Sequence, residues 1–183
     1  YRYWPELSSD CRLMNKLLRD LTDYSMSDQL TKQRSDLCNL LRRAYLSCLP
    51  LTEGTNKTLT YTSRVSCAYM PLDSPKMMEA LLNLIVNALD AVSDNGSVQI
   101  ILTKSNEQFV VSIIDDGCGI APKQLLTIFH PFTTTKPDGT GLGLPVAKRI
   151  IEGHGGHIRV SSAPNQGATF TFLLPCSFSS DKK

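Results

Sequence analysis

The chain has 183 residues, 42% hydrophobic and 20% charged, with a formal net charge of +2. That is the composition of one ordinary globular domain with a small appendage, and scattered Lys and Arg at so low a net charge exclude a general affinity for nucleic acid or membrane surfaces. No apolar run approaches the ~18 residues that span a bilayer, and the six cysteines form no CxxC pair or metal-ligand cluster, so the chain reads as reduced and cytoplasmic, its thiols mostly core filler. It opens on Tyr1 rather than Met and carries no signal peptide. It therefore reads as a piece of a longer protein whose membrane anchor, if it has one, lies elsewhere.

A helical pattern begins at Ser8 or Ser9, with Leu13, Leu17, Leu21 and Tyr24 at helical spacing. Ser25 to Arg34 is polar and reads as a linker. Asp36 can cap a second helix to about Cys48, with Leu37, Leu40, Leu41 and Tyr45 on one face. Lys57–Val65 alternates as a strand, and Cys67–Pro71 is a shorter one. Asp73 starts a long helix with Pro75 in its first turn, and Asn95-Gly96 ends it. Val98–Leu102 and Phe109–Ile114 are β-branched runs joined as a hairpin at Ser105–Glu107. Gly117 to Gly143 is mostly loop around a short helix at Lys123–Phe129. A helix over Leu144–Glu152 ends at Gly153, and strands at Ile158–Ser161 and Thr169–Leu174 follow. Strands and helices are segregated, which predicts an α+β fold: a two-layer sandwich of one mixed β-sheet with helices on one face.

Three blocks within this pattern carry chemistry. Asn83 and Asn87 share one face of an otherwise apolar helix. Buried amides must find partners or cost roughly 1–3 kcal/mol each. They are either core amides bonded to backbone, or an oxygen ligand for Mg²⁺ and a donor to phosphate. Asp115-Asp116-Gly117-Cys118-Gly119-Ile120 follows a strand. It is either an acidic turn or a carboxylate accepting from an adenine amino group, beside glycines that let backbone approach the ring. Phe132-Thr133-Thr134-Thr135-Lys136 precedes Gly139-Thr140-Gly141-Leu142-Gly143-Leu144, which opens into a helix. The loop is either ordinary and polar, or hydroxyls, a lysine and backbone N–H groups facing phosphates. No strand leads into these glycines, so a dinucleotide-binding βαβ unit does not fit.

Taken in order, the NxxxN helix, DxGxG, PFTTTK, GTGLGL and the tail HGGHIRVSSAPNQGATFTFLLP resemble the N, G1, F, G2 and G3 boxes of sensor histidine kinases, over about Asp73 to Pro175. That resemblance implies the Bergerat-type ATP-binding fold, with ATP and Mg²⁺ as cofactors. It implies Asn87 as the Mg²⁺ ligand, and Asn83 and Lys136 as the catalytic positions. It also implies a nucleotide site made of Asn83, Asn87, Asp90, Asp115, Gly117, Gly119, Ile120, Phe132, Thr133, Thr134, Thr135, Lys136, Gly139, Thr140, Gly141, Leu142, Gly143, Leu144 and Thr169. Ala168 stands where that family often carries Ser or Thr.

Related ATPases and serine kinases of the same fold place a Glu four residues before the metal Asn, as general base. Here that position is Asn83. An amide cannot take a proton at neutral pH, which favours transfer to a histidine over hydrolysis. The three histidines, His130, His154 and His157, lie outside the Ser9–Tyr24 helix. The expected protein is thus a catalytic fragment that receives its phosphoacceptor from a dimerisation domain and relays to a response-regulator receiver domain. Its expected organisation is residues 1–26 as a partial second dimerisation helix, 27–35 as linker, 36–177 as ATP-binding domain and 178–183 as a disordered tail. The full-length protein is expected to be a homodimer and the fragment a monomer or weak dimer. Two readings compete: a nucleotide-binding regulatory module without phosphotransfer, and an ATPase or serine kinase of this fold.

Overall fold

The computed structural model describes residues 29–136 and 139–176. The expected Ser9–Tyr24 helix, the 1–26 segment and the 178–183 tail lie outside the described residues. The elements are β1 (Gln33–Asp36), α1 (Leu37–Cys48), β2 (Thr58–Ser63), β3 (Tyr69–Leu72), α2 (Ser74–Ala91), β4 (Ser97–Ser105), β5 (Gln108–Asp115), α3 (Pro122–Leu125), α4 (Gly143–Gly153), β6 (His157–Ser162) and β7 (Ala168–Pro175).

Five strands form one mixed sheet in the order β2-β4-β5-β7-β6. β2 and β4 run parallel and every other pairing is antiparallel. A parallel pair needs a crossover, and α2 lies within it. Alternate residues Val98, Ile100, Leu102, Phe109, Val111, Ile113, Phe170, Phe172 and Leu174 are buried, and they pack in one core with Leu81, Leu84, Ile85, Ala147 and Ile151 of the helices. At ~25 cal/mol per Å² of apolar area, this layer drives folding. It matches the expected α+β sandwich.

Side-chain caps set the helix starts. Asp36 Oδ1 accepts from Cys38 N at 3.0 Å and from Ala68 N at 2.9 Å, so one carboxylate oxygen caps α1 and ties it to the strand β3 approach. Asp73 caps α2 by accepting from Lys76 N at 3.1 Å. Its other oxygen accepts from Thr31 N at 2.8 Å, and its own N–H donates to His154 Nε2 at 2.9 Å. His154 is buried just past α4, with Nδ1 2.7 Å from Ile150 O. Nε2 as acceptor puts the ring proton on Nδ1. Lys57 Nζ donates to Leu89 O at 2.9 Å, a cation at the C-terminal turn of α2.

Four expectations are corrected. The expected linker through residue 35 instead ends in β1, paired antiparallel with β3. Helix α2 stops at Ala91, before the Asn95-Gly96 turn. The short helix covers only Pro122–Leu125, because the chain continues as turns. Of the described cysteines only Cys48 is core, while Cys67 and Cys118 are exposed.

Candidate active site

Helix α2 has two faces. Met77, Ala80, Leu81, Leu84, Ile85, Ala88 and Leu89 are buried. Asn83 and Asn87, half-buried, and Asp90, exposed, lie on the other side. Neither amide is a core group bonded to backbone. Asn83 makes no hydrogen bond among the described residues, and Asn87 Oδ1 accepts from Lys136 Nζ at 2.9 Å. The first residue of α4 meets this face: a Cβ on Gly143 would stand 3.6 Å from Asn83 Cγ and Oδ1. The start of α4 carries no side-chain cap, which leaves its first N–H groups available to an anion.

Asp115 ends β5 in phase with the buried residues Phe109, Val111 and Ile113, so it points to the helix side of the sheet. Its Oδ1 accepts from Gly117 N at 3.0 Å and Ala168 N at 3.1 Å. Oδ2 has no partner among the described residues, yet no buried polar side-chain atom there lacks one, so Oδ2 retains solvent access. Burial pushes the carboxyl above the ordinary carboxylate range, and the Gly117 and Ala168 N–H groups pull it back. The oriented oxygen is therefore a fixed acceptor at the edge of the core.

The loop after Asp115 is held from two sides. Cys118 N donates to Ala91 O at 3.1 Å, which seats it on the end of α2. From the other side, Asn165 N donates to Cys118 O at 2.7 Å, Gly167 N to Gly117 O at 3.0 Å, and Ile120 N to Ser162 Oγ at 2.9 Å. Gly119 has φ +68, and a Cβ there would lie 2.0 Å from Ala163 O. Only glycine fits. Ser162, which also donates to Gly167 O at 2.6 Å, has no sequence signal of its own. Its role exists only once the β6–β7 turn meets this loop.

Across the face of α2 lies the threonine segment. Phe132 has φ 64 and is exposed, and its N–H donates to Gly141 O at 3.1 Å. Gly141 takes φ +67, and a Cβ there would lie 2.6 Å from Phe132 C. Thr134 Oγ1 accepts from Lys136 N at 3.0 Å, while Thr135 is exposed and Thr133 and Thr140 are half-buried. A Cβ on Gly139 would meet Thr134 Oγ1 at 2.4 Å. Lys136 Nζ also reaches Asp90 Oδ2 at 2.8 Å.

Two expected site residues are placed otherwise. Leu142 is fully buried, so only its backbone can meet a ligand, while Leu144 is half-buried. Thr169 pairs with Ile114, whereas Ala168 pairs with Asp115. The pleat therefore sends Thr169 to the open face of the sheet, away from Asp115. Around one face of α2 the structure brings together Asn83 with Gly143 and Asn87 and Asp90 with Lys136, while the loop that follows Asp115 is seated at the helix end through Cys118 N and Ala91 O.

Residues 72–177 match the family described as "Histidine kinase-, DNA gyrase B-, and HSP90-like ATPase". The sensor histidine kinase ZraS of Salmonella typhimurium is 32% identical over 170 residues, which is 92% of this chain and 37% of that protein. The chain thus spans well under half the length of this curated relative. The catalytic domain of histidine kinase ThkA, solved nucleotide-free, is similar in structure with a TM-score of 0.73 and 29% identity, over 80% of this chain and 96% of that one. Full-length ShkA, solved in complex with AMPPNP, gives a TM-score of 0.80 at 26% identity, over 93% of this chain and 36% of that one.

Proposed function

The chain belongs to the histidine kinase-, DNA gyrase B- and HSP90-like ATPase family as an ATP-binding catalytic domain of the sensor histidine kinase type, and from that premise we propose that it transfers the γ-phosphoryl group of Mg-ATP to a histidine on a separate dimerisation domain. In this reading the phosphoryl group then passes to a response-regulator aspartate. Asp115 Oδ2 accepts from the adenine amino group. Gly117 and Gly119 bring backbone against the base. The N–H groups at the start of α4, with Thr133, Thr140 and Lys136, face the phosphates. Mg²⁺ would be held by Asn87 Oδ1, a hard oxygen that already accepts from one cation, the Lys136 ammonium. When bound, it would neutralise charge on the β- and γ-phosphate oxygens.

The observation that carries this reading is Asn83. It faces Gly143 at the start of α4, and its amide cannot accept a proton from water or a serine hydroxyl. What remains is positioning and charge stabilisation, which suits an acceptor imidazole that is nucleophilic without a protein base. Within the chain, His154 has both ring nitrogens engaged, so it is no acceptor. On sequence grounds we assign 1–26 to the dimerisation domain, and we place the protein in the cytoplasm as a homodimer in its full-length form.

The test is calorimetric titration with a non-hydrolysable ATP analogue, with and without Mg²⁺, followed by ATP and a histidine-bearing dimerisation domain supplied in trans. Metal-enhanced binding and acid-labile, base-stable phosphate on the supplied domain are expected. Hydrolysis in place of transfer would overturn the assignment.

A further inference from the structure

The strongest charge pairing on the exposed face of α2 joins two segments far apart in sequence. Lys136 Nζ stands 2.9 Å from Asn87 Oδ1 and 2.8 Å from Asp90 Oδ2, with side chains 42% exposed at Lys136 and 52% at Asp90. Asn87 and Asp90 are one helical step apart, so a single ammonium meets both. We propose that Asp90 is a positioning residue, not a nucleotide contact: with Asn87 it holds the Lys136 ammonium at the metal-ligand oxygen, so that Lys136 and the divalent cation compete for Asn87. This rests on the reading of Asn87 given under Proposed function.

The physical reason is charge exclusion. An amide oxygen coordinating Mg²⁺ at ~2.1 Å cannot keep an ammonium at hydrogen-bond distance, because the two cations would stand within a few ångströms of each other. With a divalent cation held by Asn87, the Lys136 ammonium would have to leave that oxygen. To reach a phosphate oxygen the ammonium would also have to give up its pair with Asp90. Asp90 thus sets the threshold at which Lys136 changes partners. Both groups are well exposed, so the effect is modest and salt-screened.

The test is a double-mutant cycle of Asp90→Asn and Lys136→Met on the whole chain. Affinity for a Mg²⁺-loaded, non-hydrolysable ATP analogue is measured by calorimetry at low and high salt. In the wild-type background Asp90→Asn should tighten binding about two- to five-fold at low salt. In the Lys136→Met background it should change nothing. If Asp90 merely repels the triphosphate, the gain will be equal in both backgrounds, and the proposal fails. A second measurement needs no nucleotide. In ¹⁵N spectra of the lysine ammonium groups, the Lys136 signal (identified by its loss in Lys136→Met) should show slowed proton exchange that disappears in Asp90→Asn. Fast exchange in the wild type would overturn the inference. Absence of any nucleotide binding, with that exchange still slowed, would instead overturn the functional reading and leave the Asp90 pair standing.

Discussion

Asp115→Asn separates the geometry of the base site from its charge. Two backbone N–H groups, of Gly117 and Ala168, point at Oδ1. An asparagine there must turn its carbonyl oxygen to them, because its amide nitrogen would set donor against donor. The NH₂ group then takes the place of Oδ2, and the outward atom changes from acceptor to donor. The loop keeps its bonds. Since burial disfavours the charged form of Asp115, the variant should unfold no earlier than wild type. A hydrogen bond to a charged group contributes roughly 1.5–3 kcal/mol, so ATP affinity should fall about 10- to 150-fold. Inosine triphosphate carries an oxygen where ATP carries the amino group, so it should lose less and overtake ATP in the variant. Calorimetry with both nucleotides, beside thermal denaturation, checks this. Equal losses for the two, or undiminished ATP affinity, would refute the claim that Asp115 reads the 6-amino group. In the wild type, ATP binding should also weaken as pH falls through the raised Asp115 value, because the protonated carboxyl no longer offers two acceptor oxygens.

Asn87→Ala should collapse the difference between affinities measured with and without Mg²⁺ by about tenfold or more, the cost seen when even an outer partner of a metal ligand is lost; persistence of that difference would place the metal elsewhere. Gly141→Ala forces a Cβ into a left-handed φ of +67 and 2.6 Å from Phe132 C, and should destabilise the protein by about 2 kcal/mol or more, whereas Gly143→Ala meets Asn83 at an ordinary 3.6 Å and should leave the denaturation midpoint unchanged. His154 is held neutral, its basicity lowered chiefly by burial and further by Lys32, against the Ile150 carbonyl and Asp73. Below the unfolded value of about 6.5 the unfolded chain takes up a proton that the folded one refuses. Stability should thus be full above that pH and fall as pH drops below it. His154→Gln should flatten that slope in urea titrations at pH 7 and pH 5.

Much of this architecture was legible because its signals are local. Asp36 and Asp73 before apolar stripes mark α1 and α2, and the β-branched runs around Asn106 mark the β4–β5 hairpin. What escaped depends on partners distant in the chain. β1 is four polar residues with no alternation, and is a strand only because β3 lies beside it. Thr169 and Ala168 are adjacent in sequence, and only the register with β5 decides which of them shares a face with Asp115. Ser162 and the Lys136–Asp90 pair are long-range bonds with no motif. By contrast, Asn83, Asn87, Asp115 and the glycines were visible as candidates, because polar amides on an apolar helix and glycines in series are costly unless used.

The Asp73–His154 bond has a mechanical side. Asp73 starts the helix that carries Asn83 and Asn87, and His154 ends the helix whose first residue is Gly143. The two helices pack along their length in one core, and at this end they are also riveted by this hydrogen bond, while the Asp73 carboxylate holds the incoming chain at Thr31. At ~1.5 Å per residue, α4 is about 16 Å long, so a tilt of about 5° at the rivet swings Gly143 by about 1.4 Å. Displacements near 1 Å suffice to spoil a reacting geometry by two orders of magnitude. The rivet thus holds the lengthwise register of the two helices, and with it the spacing of Gly143 from Asn83.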